Sequence, residues 1–400
     1  SVLIDRMTSM QSHRGPDGYG TFFGKNIALG HRRLKIIDLS NNAKQPMTDI
    51  DGRYTIVFNG EIYNYLELKN ELENKRYISN SDTEVLLNSY IEYGEHCLKK
   101  LIGMFSFAIW DKEEETLFCA RDRFGIKPFY YKTDKNQNFY FSSEIRPLLI
   151  NQKRKVNEKI LYDFLAKDYY DHSEYTFFEN INKLEPGFLI KVKNGRIISK
   201  KKYWNFHDEV NNVIIPNNYK KRQSQLMDIL NSSMKFHIRS DVPIGVAVSG
   251  GIDSALLLAL INENIDDPSK IQSFTIDYIE EKYSERKYVR EMMRDSAILD
   301  NYVTVSPNDF VENIEKDFIN QEEPYAGLPI SGYCRGFEMI RDKGFIVIMD
   351  GSGIDEGLAG YTRFLPAYWA DLKSDNNYKK LDSEFKDFGI QNDERKKYLH

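Results

Sequence analysis

VPIGVAVSGGIDSALLLAL, running from Val242 to Leu260, is the stretch to which every other part of the chain can be referred. Val242, Ile244, Val246 and Val248, with only Pro243, Gly245 and Ala247 between them, read as a strand covered on both faces of a parallel sheet. The chain turns at Ser249-Gly250-Gly251, and Asp253 and Ser254 are expected to cap a helix carried by the apolar run Ala255 to Ile261. Such a turn presents unpaired backbone N–H groups and a helix N-terminus, and its two glycines admit a phosphate close to the backbone. Two better-known phosphate loops are excluded, because the chain has neither GxxxxGK followed by Ser or Thr nor a GxGxxG after a predicted strand. Asp253 stands where the Walker loop carries a lysine. A carboxylate beside a phosphate needs a cation between them, so Mg²⁺ is expected. The bland alternative is a plain strand-turn-helix with an incidental glycine pair.

Outward from this stretch, residues 212–400 alternate strand and helix. An amphipathic helix spans Tyr219 to Arg239. Strands follow at Gln272 to Asp277, Tyr302 to Val305 and Phe345 to Asp350, with helices over Ser284 to Arg294, Asn308 to Ile319 and Gly332 to Arg341, and a turn at Glu323-Pro324. That rhythm predicts a parallel sheet of βα units. The last strand runs into a second acidic glycine loop, Gly351-Ser352-Gly353-Ile354-Asp355-Glu356. Ligands of open α/β sheets bind beyond the carboxyl ends of the strands, so Asp253 and Asp355 are placed to share one Mg²⁺.

Residues 1–205 read differently, as a mixed α+β pattern with antiparallel sheets. Ile27 to Leu39, Tyr54 to Phe58, Phe105 to Trp110, Thr116 to Ala120, Phe129 to Tyr131 and Phe139 to Ser142 are strand-like, while Leu66 to Leu72 and Thr83 to Tyr93 are helix-like. Turn-rich pieces gather Arg, Asp, Asn and Gly: HRGPDG from His13, HRRLKI from His31, FNGEIYNY from Phe58, SDTE from Ser81 and RDRFGIKP from Arg121. A grip on a free amino acid needs a cation for its carboxylate and anions for its ammonium, which Arg33, Glu61 and Asp82 can supply. Asn59 and the Gly60 amide suit an oxyanion hole for acyl transfer. Hairpin turns with capping residues are the alternative. The boundary between the halves is expected in the polar stretch Asn205 to Asn218.

The chain has 400 residues, 41% of them hydrophobic, and a net charge of −5. Lys and Arg are scattered among a slight excess of acids, which argues against a nucleic-acid partner. Three cysteines, Cys97, Cys119 and Cys334, form no CxxC and no even framework, which fits a reducing compartment. No apolar run reaches membrane-spanning length, and a cytoplasmic location is the expectation.

In this order, HRGPDG, HRRLKIIDLS, NGEIYNY, SDTEVLL, GMFSFAIWD, RDRFGIKPFYY, SSEI, EPG, YW, SGGIDS and DGSGIDE with AGY resemble the glutamine-hydrolysing asparagine synthetase family. The resemblance covers nearly the whole chain. It implies an N-terminal-nucleophile glutaminase domain, an αββα sandwich, at residues 1–205, followed by an α/β parallel-sheet ATP-pyrophosphatase domain at 212–400. It further implies that Arg33, Leu34, Ile36, Asn59, Gly60, Glu61 and Asp82 bind glutamine, Asn59 and Gly60 forming the oxyanion hole. Val248, Ser249, Gly250, Gly251, Asp253, Ser254, Ile276 and Gly351 would contact ATP, and Asp253 and Asp355 would hold Mg²⁺. The implied reaction is adenylation of a carboxylate with release of pyrophosphate, after which ammonia made in the first domain displaces AMP. The partners are small molecules: glutamine, ATP, and aspartate or another carboxylate. The oligomeric state stays open, a homodimer among the options.

Three departures bear on this reading. The family opens on a cysteine nucleophile, whereas Ser1 falls in the family's first helix, so the first strand and the nucleophile are expected to be missing here. The family continues well past AGYTRF, so a C-terminal part is expected to be missing too. Many asparagine synthetases carry a glutamate where this chain has Ser352, which keeps open a sugar carboxylate of surface polysaccharide as the acceptor. A non-catalytic remnant binding glutamine or nucleotide is a third reading, against which the retained Asp253 and Asp355 speak. A different ATP pyrophosphatase would share SGGIDS without the motifs ahead of it.

Overall fold

The computed structural model describes residues 2–390 apart from 266, 295, 297, 326 and 328. Eleven strands build the first half: β1 Gly18–Gly24, β2 Ile27–Arg33, β3 Met47–Thr48, β4 Tyr54–Ile62, β5 Gly103–Asp111, β6 Thr116–Arg121, β7 Tyr130–Thr133, β8 Phe139–Ser142, β9 Asn182–Lys183, β10 Phe188–Lys193 and β11 Arg196–Lys202. They form an antiparallel sheet in the order β11-β10-β6-β5-β4-β3, a β1-β2 ribbon and a three-stranded β8-β7-β9 sheet. The alternation of side chains explains the layers. In β4, Ile56 and Phe58 enter a core shared with the helices Tyr65–Glu71 and Asp82–Tyr93, while Val57 enters a second core with Leu29, Phe129 and Tyr131 of the smaller sheets. On their outer side Met7 of the helix Val2–Ser9 packs with Ile145, Leu148 and Leu149. The order helix, sheet, sheet, helix is the expected αββα sandwich.

The second half carries β12 Ile244–Ala247, β13 Ile271–Tyr278, β14 Leu299–Val305 and β15 Val347–Met349, all parallel in the order β14-β13-β12-β15. Both faces are covered. Met234, Leu257, Leu258, Ile261 and Val289 pack on one side with Ile244 and Val246, and Phe274, Val303 and Ile340 pack on the other. This is the α/β sheet expected from the βα rhythm. Helices Leu365–Ser374 and Tyr378–Asp387 close a small core of their own around Trp369 and Phe385.

Several boundaries differ from the sequence expectation. The strand expected over Ile27 to Leu39 stops at Arg33, because the chain must turn where Asp38 adopts a left-handed conformation (φ 54°). The helix after the glycine turn begins at Ile252 with Gly251 as its extended N-cap, so Asp253 and Ser254 do not cap it and lie in its first turn. The strand expected over Phe345 to Asp350 shrinks to Val347–Met349, and the helix expected from Gly332 begins at Pro329.

The halves are tied at several points. Asp241 donates its N–H to Ile36 O at 3.1 Å and accepts the Asp38 N–H on Oδ2 at 2.8 Å. Arg239 forms a bidentate pair with Glu67 and donates to Tyr63 O. From the end of the helix Pro307–Gln321, Glu322 accepts the N–H groups of Ile145 at 2.6 Å and Arg146 at 2.8 Å, and Glu323 accepts that of Phe177 at 2.8 Å. Among the described residues no helix is long and apolar enough to cross a membrane.

Candidate active sites

The first half encloses a cavity of about 310 Å³ lined by Arg33, Leu34, Ile36, Asn59, Gly60, Glu61 and Asp82, all seven residues expected to hold glutamine. Arg33 ends β2, is 7% exposed, and donates Nη1 to Ser40 O at 2.7 Å and Nη2 to Asp38 O. Burial lowers its pKa, opposed by the charges of Asp38, Asp17 and Asp82. Asn59 and Gly60 lie within β4 opposite Ser106 and Phe105, and Asn59 Nδ2 reaches Ser143 Oγ at 3.4 Å. A Cβ at Gly60 would fall 2.2 Å from Met104 O, so only glycine fits there.

Two acids face the cavity. The Glu61 carboxyl, 6% exposed, is pushed up to about 8 by burial and then by the charge of Asp82, with Lys127 pulling the other way. Burial likewise raises Asp82 to about 6, although its Oδ2 accepts the Ile62 N–H at 2.9 Å. Asp82 opens a helix whose Ser81 cap accepts the Glu84 N–H.

Lys127 and His31 also line the cavity and had no assigned role in the sequence. Lys127 lies in RDRFGIKP, the signal that marks it, and its turn is built on Asp122, which is 1% exposed and accepts the N–H groups of Phe105, Phe124, Ile126 and Lys127. Burial lowers the Lys127 pKa, and Arg14 adds to the effect. Burial drops His31 to about 4, so its ring is neutral at pH 7 and its Nε2–H meets Phe58 O at 3.0 Å. Among the described residues no cysteine lines the cavity. Cys97 and Cys119 are buried in the cores and their thiols are pushed up, Cys97 to about 12, so neither is a ready thiolate. Cys334 lies in the second half, on the helix Pro329–Asp342.

At the carboxyl end of β12, Ser254 braces the glycine turn. Its hydroxyl accepts the Ser249 N–H at 3.1 Å and lies 2.7 Å from Ser249 O. The Gly251 N–H goes to Ser249 Oγ at 3.3 Å and the Gly250 N–H to Glu285 Oε2 at 3.2 Å. Gly351, at the end of β15, lets the two acidic loops meet: a Cβ there would stand 3.0 Å from Asp253 Cβ. Burial raises the Asp253 pKa, the Asp355 charge raises it further, and a hydrogen bond from the Asp355 N–H opposes both. Asp355 Oδ1 lies against Gly360, where a Cβ would fall 1.9 Å away. Of the other residues expected at the nucleotide, Val248 is 3% exposed within the core, so it offers only its backbone, and Ile276 packs on Gly336 of the helix Pro329–Asp342. Ser352 is exposed and donates its N–H to Asp350 Oδ1.

The donor set fits a divalent cation. Two carboxylates, of which Asp355 raises the pKa of Asp253, lie beside the glycine turn, and Mg²⁺ is commonly held by one or two carboxylates completed by substrate phosphates. Among the described residues no group of three or more His, Cys, Asp or Glu forms a closed metal cage.

Two family models match the two halves of the chain. Residues 1–204 match a glutamine amidotransferase domain model and residues 225–397 an asparagine synthase model. Glutamine-hydrolysing asparagine synthetase 1 of Bacillus subtilis is 34% identical over 365 residues, 90% of this chain and 56% of that protein. A Methanocaldococcus jannaschii protein, provisionally named as a second glutamine-hydrolysing asparagine synthetase, is 36% identical over 92% of this chain and 74% of its own length. The chain therefore spans little more than half of the first relative and about three quarters of the second. A glutamine phosphoribosylpyrophosphate amidotransferase of B. subtilis, solved with ADP and GMP, shares 14% identity over 69% of this chain and 51% of its own, at a TM-score of 0.33 that bears no weight. On the two domain models and these two relatives, the chain belongs to the glutamine-hydrolysing asparagine synthetase family.

Proposed function

We propose that this protein amidates a carboxylate at the expense of ATP, with aspartate as the acceptor and asparagine as the product. The observation that carries the proposal is the meeting of Asp253 and Asp355 across Gly351 beside a phosphate-binding turn at the carboxyl ends of β12 and β15. In this reading an acceptor carboxylate oxygen attacks the α-phosphorus of ATP, the bond to the β-phosphate oxygen breaks, and pyrophosphate leaves. Ammonia then adds to the acyl carbon, loses a proton, and expels AMP. Ser249, Gly250, Gly251 and the first turn of the helix Ile252–Asn264 cradle the pyrophosphate, with Ser254 keeping the turn in shape. Glu285 must release the Gly250 N–H for a phosphate to take it. Asp253 and Asp355 would hold Mg²⁺, which when bound neutralises phosphate charge.

The cavity of the first half is proposed to bind glutamine. Arg33 takes its carboxylate, Glu61 and Asp82 take its ammonium, and Asn59 and Gly60 stabilise an oxyanion at the carboxamide. Among the described residues no cysteine lines this cavity, and ammonia is the nitrogen source for the test. The two relatives described are both named for asparagine, which supports aspartate over a sugar acid.

The test is pyrophosphate release from ATP, Mg²⁺ and ammonia, scanned over aspartate and a panel of sugar acids. Release that depends on aspartate is expected. Release only with a sugar acid would move the acceptor, and no release with any carboxylate would overturn the proposal.

A further inference from the structure

We propose that Asp241 is a positioning residue that couples occupancy of the glutamine cavity to the phosphate turn. The inference rests on the reading of the two sites given above and adds a connection between them. Its first link is Arg33. The guanidinium that would meet a ligand carboxylate already spends two donors on Ser40 O and Asp38 O, and so holds the turn that follows β2. A carboxylate arriving in the cavity draws on the same guanidinium.

The second link is the turn itself. Residues 34–40 have no regular structure, Asp38 sits in the left-handed region, and its carboxylate accepts the N–H groups of Ser40 at 2.9 Å and Asn80 at 2.7 Å. Asp241 brackets this turn from the other half of the chain, giving its N–H to Ile36 O and taking the Asp38 N–H on its carboxylate. Leu34 and Ile36, between those points and Arg33, line the cavity.

The third link is β12. Asp241 is followed by Val242 to Val248 and then by Ser249, the first residue of the phosphate turn. The chain bends at Asp241 and Val242 and then runs as a strand, paired with β13 over Ile244 to Ala247 and with β15 over Ile244 to Val246, and Ile244, Val246 and Val248 are at most 4% exposed. A strand so held transmits a displacement at one end to the other, at roughly 3.3 Å of length per residue. The turn at 34–40 is the element that both ligands bias: glutamine through Arg33, nucleotide through Ser249 and β12. The Arg239–Glu67 pair offers an internal contrast, since it joins the same two halves without touching a cavity-lining residue.

The experiment is a reciprocal calorimetric titration of the full chain with L-glutamine and with α,β-methylene-ATP plus Mg²⁺, each alone and with the other saturating. In the wild type each ligand is expected to change the other's Kd by the same factor, at least about fivefold. Asp241→Ala should bring that factor to one while leaving each Kd measured alone unchanged. Asp241→Asn, which keeps an acceptor oxygen, and Arg239→Ala should both retain it. A wild-type factor of one, or a factor that survives Asp241→Ala, overturns the inference and leaves the site assignments standing. Failure of the wild type to bind either ligand overturns both. Hydrogen exchange needs no variant: nucleotide should change protection of the Ile36 to Ser40 amides in the wild type, and unchanged exchange there overturns the coupling.

Discussion

Glutamine binding should release a proton, and Glu61 sets how much. With its carboxyl pushed up to about 8, Glu61 is about nine-tenths protonated in the empty cavity at pH 7. An ammonium partner favours the carboxylate and draws the pKa down. Binding at pH 7 therefore expels up to about 0.9 proton from Glu61, to which Asp82, already mostly ionised at about 6, adds only about a tenth. If only the ionised form binds, affinity rises about fiftyfold between pH 6 and pH 8, because the ionised fraction climbs from about one in a hundred to about one in two. The assay is titration calorimetry of L-glutamine at pH 7 in buffers of different ionisation enthalpy, where the slope of observed heat against buffer enthalpy is the proton count. Glu61→Gln should remove both the release and the pH dependence. A slope of zero with glutamine visibly bound, or a Glu61→Gln protein with the wild-type slope, would refute Glu61 as the ammonium partner.

The same carboxyl makes a stability prediction. Its folded pKa lies above the ordinary 4.5, so between about 4.5 and 8 only the unfolded state is ionised and stability falls as pH rises; the urea midpoint should drop from pH 5 to pH 8.5, and Glu61→Gln should flatten that drop. Asp122→Ala strips four N–H groups of their acceptor in a turn where Asp122 is 1% exposed; at about 1–3 kcal/mol for each orphaned donor, partly rescued by water, a loss of at least about 3 kcal/mol is expected, read as a lower urea midpoint with glutamine affinity lost alongside. Gly360→Ala places a methyl 1.9 Å from Asp355 Oδ1, which must turn away; the Mg²⁺ concentration for half-maximal pyrophosphate release should rise while glutamine binding stays unchanged.

What could be read in the sequence was what local chemistry determines. The uninterrupted apolar run before Ser249 gave β12 because a strand covered on both faces has no polar face to show. Tyr54 to Phe58 read as a strand from its β-branched and aromatic residues, and the structure shows its side chains dividing between two cores. Arg33, Glu61 and Asp82 were legible as a group because one cation and two anions suit a free amino acid, and the structure gathers them in one cavity. What escaped depended on distance in the chain. Asp253 and Ser254 look like helix caps by residue type, yet Ser254 serves the turn behind it and Gly251 supplies the cap position. Ile27 to Leu39 looks like one strand, and only the left-handed Asp38 and its hydrogen bonds to Asn80 and Asp241 explain why it ends at Arg33. Lys127 was visible in its motif, but that it enters the cavity follows from the four amides folded around Asp122.

Glu322 and Glu323 have a bearing on how this chain can be cut. Burial raises the pKa of both carboxyls, yet each is held by peptide groups of the other half, at Ile145, Arg146 and Phe177. Scission anywhere between Asn205 and Asn218 would leave the amino-terminal piece with four N–H groups, those of Ile145, Arg146, Phe177 and Asp38, whose acceptors stay on the carboxy-terminal piece. A hybrid built by exchanging halves between relatives would therefore inherit a mismatched seam unless this acidic corner travels with the segments it grips.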